Sequence, residues 1–166
     1  MGHYRFVVLF LILLIFLVSC NQQANTMLVK MPDDFNFSVR YGITSKNEIN
    51  TFESTVTKDL VSNGIITTSI KLSENEMTKI YKQMREVNIS QDLKLVSKSN
   101  CRRTPYSEDQ WKIQMNGKIT SFIWSEENCV ITHDAKKLED LRKFVFNIVK
   151  NKTEYKKLPE AVGGYD

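Results

Sequence analysis

Apolar residues along this chain change their spacing several times, and each change marks an element. Phe6 to Val18 is an unbroken apolar run of 13 residues. Beyond it the pattern alternates: Phe35, Phe37, Val39 and Tyr41 share one face of a strand, and Gly42 ends it. After a turn over 44–48, a second strand is expected across 49–58, forming an antiparallel hairpin with the first. Asn63-Gly64 marks a further turn, and Ile66, Thr68, Ile70 and Leu72 alternate beyond it. Ser73 and Glu76 then form a capping box, and the period switches to that of a helix. Met77, Ile80, Tyr81, Met84 and Val87 make one stripe, so a helix is predicted over 74–88.

The second half repeats this order with less regularity. Leu93 to Leu95 suggests a short edge strand, and 97–109 reads as a long polar loop. Trp111, Ile113 and Met115 alternate, Asn116-Gly117 predicts a tight hairpin, and 118–124 returns as a strand. Bulk on both faces of that return strand suggests a central place in the sheet. Cys129 to Ile131 is either one more short strand or a lead into the next helix. Asp134 is the expected cap of a second helix over 135–151, with Leu138, Leu141, Val145, Ile148 and Val149 on its inner stripe. Residues 151–155 continue that helix as a last turn, and 158–165 read as an exit tail with a flexible Gly163-Gly164. The fold class that follows is α+β: an antiparallel sheet of hairpins with two amphipathic helices on one face.

The leading apolar run is a different kind of segment. As a helix it spans about 20 Å, short of a hydrocarbon core of roughly 30 Å. With Arg5 before it, it reads as the core of a secretory signal. Leu17-Val18-Ser19-Cys20 closes the run, and the polar segment 21–26 follows. This junction resembles the lipobox of bacterial lipoproteins. The resemblance implies cleavage before Cys20 and a diacylglyceryl thioether on its sulfur. Two acyl chains suffice for stable membrane anchoring where one does not. The expected organisation is a signal peptide over 1–19, a lipid-anchored polar tether over 20–34 and a single α+β domain over 35–166. The expected location is the extracytoplasmic face of the cell membrane. An uncleaved anchor with an unmodified Cys20 is the competing reading.

Composition now counts differently. The full chain has 166 residues and a formal charge of +4. Without the leader, 147 residues remain, about 37% apolar and with a charge near +3. That is enough for one core. The mild charge does not suggest an extended nucleic-acid groove, and export makes nucleic acid an improbable partner. Cys101 and Cys129 are the two cysteines left, 28 positions apart. An oxidising exterior favours a disulfide between them, with two free thiols or a redox pair as the alternatives.

The strand Phe35–Tyr41, the segment Val56-Thr57-Lys58-Asp59-Leu60, the strand Ile66–Leu72 leading into Ser73–Met77, and the ending Glu154–Tyr165 together resemble small lipoproteins of Bacillus and its relatives. The resemblance covers roughly 35–166 besides the lipobox. It implies a lipid-anchored α+β domain and carries over no catalytic or binding residue. The loop holding Cys101, with its presumed partner Cys129, departs from that pattern.

Candidate chemistry is sparse. There is no Gly-x-Ser-x-Gly elbow, phosphate loop, calcium loop or dinucleotide fingerprint, so no cofactor is expected. His133 is the only histidine beyond the leader and reads as a solvated residue ahead of a helix. Glu126-Glu127 is the acidic pair best placed for glycoside chemistry, opposite Asp92 or Glu108 if a cleft joined them. Arg102 and Arg103, with Tyr106 and Trp111, form a basic aromatic loop able to engage an anionic envelope component or a protein. Lys136, Lys137, Arg142, Lys143, Lys150, Lys152, Lys156 and Lys157 form a second basic region. The expectation is a non-enzymatic surface lipoprotein that binds an envelope component. A small cell-wall polymer hydrolase and an inhibitor or immunity-type lipoprotein are the alternatives.

Overall fold

A computed structural model describes residues 27–166. The signal segment, the lipobox and Cys20 lie outside the described residues. The chain forms β1 (Asn36–Tyr41), β2 (Asn47–Asn50), β3 (Thr55–Asp59), β4 (Ile65–Ser69), α1 (Glu74–Glu86), β5 (Glu108–Met115), β6 (Lys118–Ser125), α2 (His133–Lys150) and the short α3 (Thr153–Lys156). The strands make one antiparallel sheet of order β4-β3-β2-β1-β5-β6. This is the α+β class that the alternation predicts.

The core grows from that alternation. Phe35, Phe37, Val39 and Tyr41 all turn inward, and the register sets Val39 beside Ile49 on one side and Trp111 on the other. Both long helices pack on this face. Tyr81 of α1 meets Phe35 edge-on at 5.0 Å, and Phe146 of α2 meets Tyr41 at 6.0 Å. Ile80, Tyr81 and Met84 are the buried stripe of α1, while Ala135, Leu138, Leu141, Val145 and Val149 are that of α2. Each fully buried large side chain contributes roughly 1.5–3 kcal/mol. The capping box is present: Ser73 Oγ accepts from the Glu76 amide, and the Glu76 carboxylate accepts from the Ser73 amide at 2.8 Å.

Several expectations are corrected. The strand expected over 49–58 is two strands, because the Asn50 side chain accepts from the Glu53 amide and turns the chain at 51–54. Thr51 Oγ1 then ties that turn to both backbone groups of Phe37. Residues 93–95 form no strand, and of the two readings of 129–131 the structure has the lead into the next helix. The return strand β6 lies at the sheet's edge, not its centre. The cap of α2 is Thr132, whose Oγ1 accepts from Ala135 N at 3.1 Å, while Asp134 accepts from the Lys94 amide.

Both ends of the domain are also fastened more than expected. The described part of the expected tether is docked: Tyr81 Oη donates to Leu28 O, and Arg85 donates to Val29 O. Asp34 accepts from the Asn116 and Gly117 amides at 2.8 and 2.7 Å, which holds its carboxyl below the usual range. The tail is no free end. Val162 bridges to Val61, and Tyr165 donates to the Asp59 carboxylate.

Candidate functional site

The loop singled out by sequence folds as the outer continuation of the β5–β6 ribbon. Arg103 N donates to Glu127 O, Glu126 N to Ser107 O, and Cys129 N to Cys101 O. Cys101 and Cys129 are disulfide-bonded across the ribbon's end, with Cα atoms 5.4 Å apart. At the other end, Asn116 and Gly117 both take positive φ, as the two-residue turn whose twist matches the flanking strands requires.

The four candidate binding residues separate. Arg102 donates to Glu127 at 2.7 Å, and Arg103 approaches Glu126 at 4.0 Å. Glu126 and Glu127 therefore answer these arginines. Tyr106, 37% exposed, lines a hollow of about 370 Å³ with Ile43, Thr44, Pro105 and Glu108. Trp111 is corrected: it is 2% exposed and belongs to the core, where it lies between Phe37 and Phe122. Its alternation with Ile113 already placed it on the inner face.

The second basic region is largely answered from within. Lys136 pairs with Glu139 and Asp140, Lys137 with Asp134, Lys143 with Glu139 and Lys152 with Glu76. Burial acts to raise the Glu76 carboxyl, but Lys152 and the Ser73 donors outweigh it and hold it low. Arg142 is drawn inward to Asp109, Nε to Oδ2 at 2.8 Å.

What sequence reasoning missed is the face of the sheet that no helix among the described residues covers. Helices cover the face of Val39 and Trp111, so the intervening residues face away from them. The register aligns Ser38, Lys112 and Ser121 in one row and Arg40, Gln110 and Ile123 in the next. These six residues, with Trp111 and Phe122, line a groove of about 620 Å³. Arg40 and Lys112 make no ion pair among the described residues. Glu48 lies directly across from Arg40 on β2, yet its carboxylate accepts from Asn50 instead. Lys112 Nζ lies 4.9 Å from the Phe52 ring centre.

The groove offers one guanidinium, one ammonium, two hydroxyls and an amide. A guanidinium presents paired donors to a phosphate or carboxylate, and an ammonium adds a point charge. Among the described residues no carboxylate, histidine or thiol lines it. The set is suited to holding an anion and lacks a general acid–base pair. The signal was present in the sequence as the outward phase of two recognised strands, Arg40 in one and Lys112 in the other.

No helix among the described residues is long and apolar enough to cross a membrane. Their His, Cys, Asp and Glu side chains form no group of three suited to a metal ion. Comparison with known proteins finds no matching family model and no matching curated protein.

Proposed function

We propose that this chain is a lipid-anchored protein of the extracytoplasmic membrane face that binds an anionic envelope polymer through the open face of its sheet. The Arg40–Lys112 groove carries the reading: two cations stand diagonally on neighbouring strands, without ion pairs among the described residues, beside the hydroxyls of Ser38 and Ser121. The Leu17–Cys20 junction supplies the anchor, with the cleaved and acylated Cys20 as first residue. A disulfide suits an exported domain. Phosphate repeats on a wall or membrane polymer match the groove's charge, and several weak contacts along one polymer add through effective concentration.

The test uses the full chain in detergent micelles with poly(glycerol phosphate) as the probe. Joint Arg40→Ser and Lys112→Ser substitution is expected to weaken binding about tenfold and flatten its salt dependence. Joint Lys79→Ser and Lys82→Ser substitution on α1 is expected to leave it unchanged. Equal loss from both pairs would reduce the interaction to net charge and overturn the reading. In cells, Cys20→Ala is expected to abolish fatty-acid labelling, and labelling that persists would remove the anchor from the proposal.

A further inference from the structure

Strand β6 ends the sheet, and among the described residues no strand pairs with its outer side. Natural edges are blunted by charge, proline, bulges or a covering segment. β6 reads KITSFIWS, with Lys118 at its first position as its only charge. It pairs with β5 in one unbroken register from Glu108–Ser125 to Met115–Lys118.

The hairpin decides which backbone groups are free. In a two-residue hairpin the closing pair, Met115 and Lys118, exchanges hydrogen bonds, and every second pair after it does the same. The amides and carbonyls of Ile119, Ser121 and Ile123 therefore point away from β5, along the open edge. Their side chains lie on the uncovered face, where Ile119 is 53% and Ile123 60% exposed. The outward row reads Ile–Ser–Ile and is the same in both directions.

We infer that β6 pairs antiparallel with β6 of a second copy of this chain, joining two sheets into one of twelve strands about a two-fold axis at Ser121. The symmetric row selects this occupant. Centring on Ser121 sets each Ile119 beside Ile123 of the other copy, so four exposed isoleucines cover one another, and the outward backbone groups bond in pairs. The ribbon is held at both ends, by Asp34 on the hairpin turn and by the disulfide, so the edge is ordered before it meets a partner. This inference does not rest on anion binding, though pairing would set two grooves on one continuous face.

The experiment places a thiol at the axis. Ser121→Cys and, as control, Ser69→Cys on β4 at the opposite edge are made in the full chain and treated in membranes with a short bis-maleimide. The expected result is a covalent dimer of twice the chain mass from Ser121→Cys and none from Ser69→Cys. The unsubstituted chain in micelles is expected to sediment as a dimer. Joint Ile119→Lys and Ile123→Lys substitution is expected to return it to monomer with the thermal transition retained. Sedimentation of the unsubstituted chain as a monomer, equal crosslinking at both positions, or crosslinking of Ser121→Cys only to a different protein would each overturn the inference. No polymer is present, so failure of anion binding leaves this outcome untouched.

Discussion

Asp109 lies fully buried on β5, between the sheet and α2, and its surroundings set its proton affinity. Burial drives its pKa up, and Arg142 at 2.8 Å opposes this, leaving the carboxyl at about 6. Oδ1 has no hydrogen-bond partner among the described residues, which leaves part of the burial cost standing. An Asp whose folded pKa lies above its unfolded value binds more protons when folded. Its contribution is therefore fully favourable below about pH 4 and is lost as pH rises through about 6. A shift of this size corresponds to something on the order of 3 kcal/mol. Asp109→Asn should remove that component, so that the urea midpoint of the variant falls less between pH 4 and 6 than the parent's. Parallel curves for the two proteins would refute the assignment. Asp109 was hard to see because its type argues for a loop. The alternation of Trp111 and Ile113, extended two residues back, puts position 109 on the core face, and a charged residue there needs an inward partner such as Arg142.

At the scale of elements, long periodic segments were legible and sheet order was not. The stripes of α1 and α2 and the Ser73–Glu76 box follow from local spacing, and the structure contains them. Strand order depends on contacts far apart in sequence. The double-sided bulk of β6 suggested a central strand, yet Ile119 and Ile123 face solvent at an edge. The turn within 49–58 rests on the side chains of Asn50 and Thr51, whose hydrogen bonds to Glu53 and Phe37 override the local strand preference. The β5–β6 ribbon tests how an element is held. Its disulfide closes a loop of 29 residues in the unfolded chain. Paired Cys101→Ser and Cys129→Ser substitution is expected to cost about 3 kcal/mol in denaturant. It should also speed amide exchange at Arg103 and Cys129, whose partners lie across the ribbon. Unaltered exchange there would mean that the hairpin alone holds this end.

The whole molecule brings together pieces that no local pattern connects. The open-face groove draws Arg40 and Lys112 from strands some seventy positions apart, and only the β1–β5 register makes them neighbours. The tail shows the same dependence. Gly163-Gly164 reads locally as a flexible end, but the two glycines have different roles in the fold. Leu60 O accepts from Val162 N at 3.2 Å, and Ser62 N donates to Val162 O at 3.1 Å. Tyr165 reaches both Asp59 and Lys46, so the tail closes over the β3–β4 turn. Gly163 makes this possible: its φ is +97°, and a Cβ there would stand 2.5 Å from Ser62 Oγ. Gly164 has open space around it. Gly163→Ala is therefore expected to destabilise by about 1–2 kcal/mol through backbone strain and loss of tail contacts. Gly164→Ala is expected to be neutral or slightly stabilising. Exchange of the Ser62 amide separates tail release from general weakening. It should quicken in Gly163→Ala well before the core amides of Phe37 and Val39 do, and keep its parent rate in Gly164→Ala. If Ser62 and the core quicken together, the tail is part of the cooperative unit and not a strap upon it.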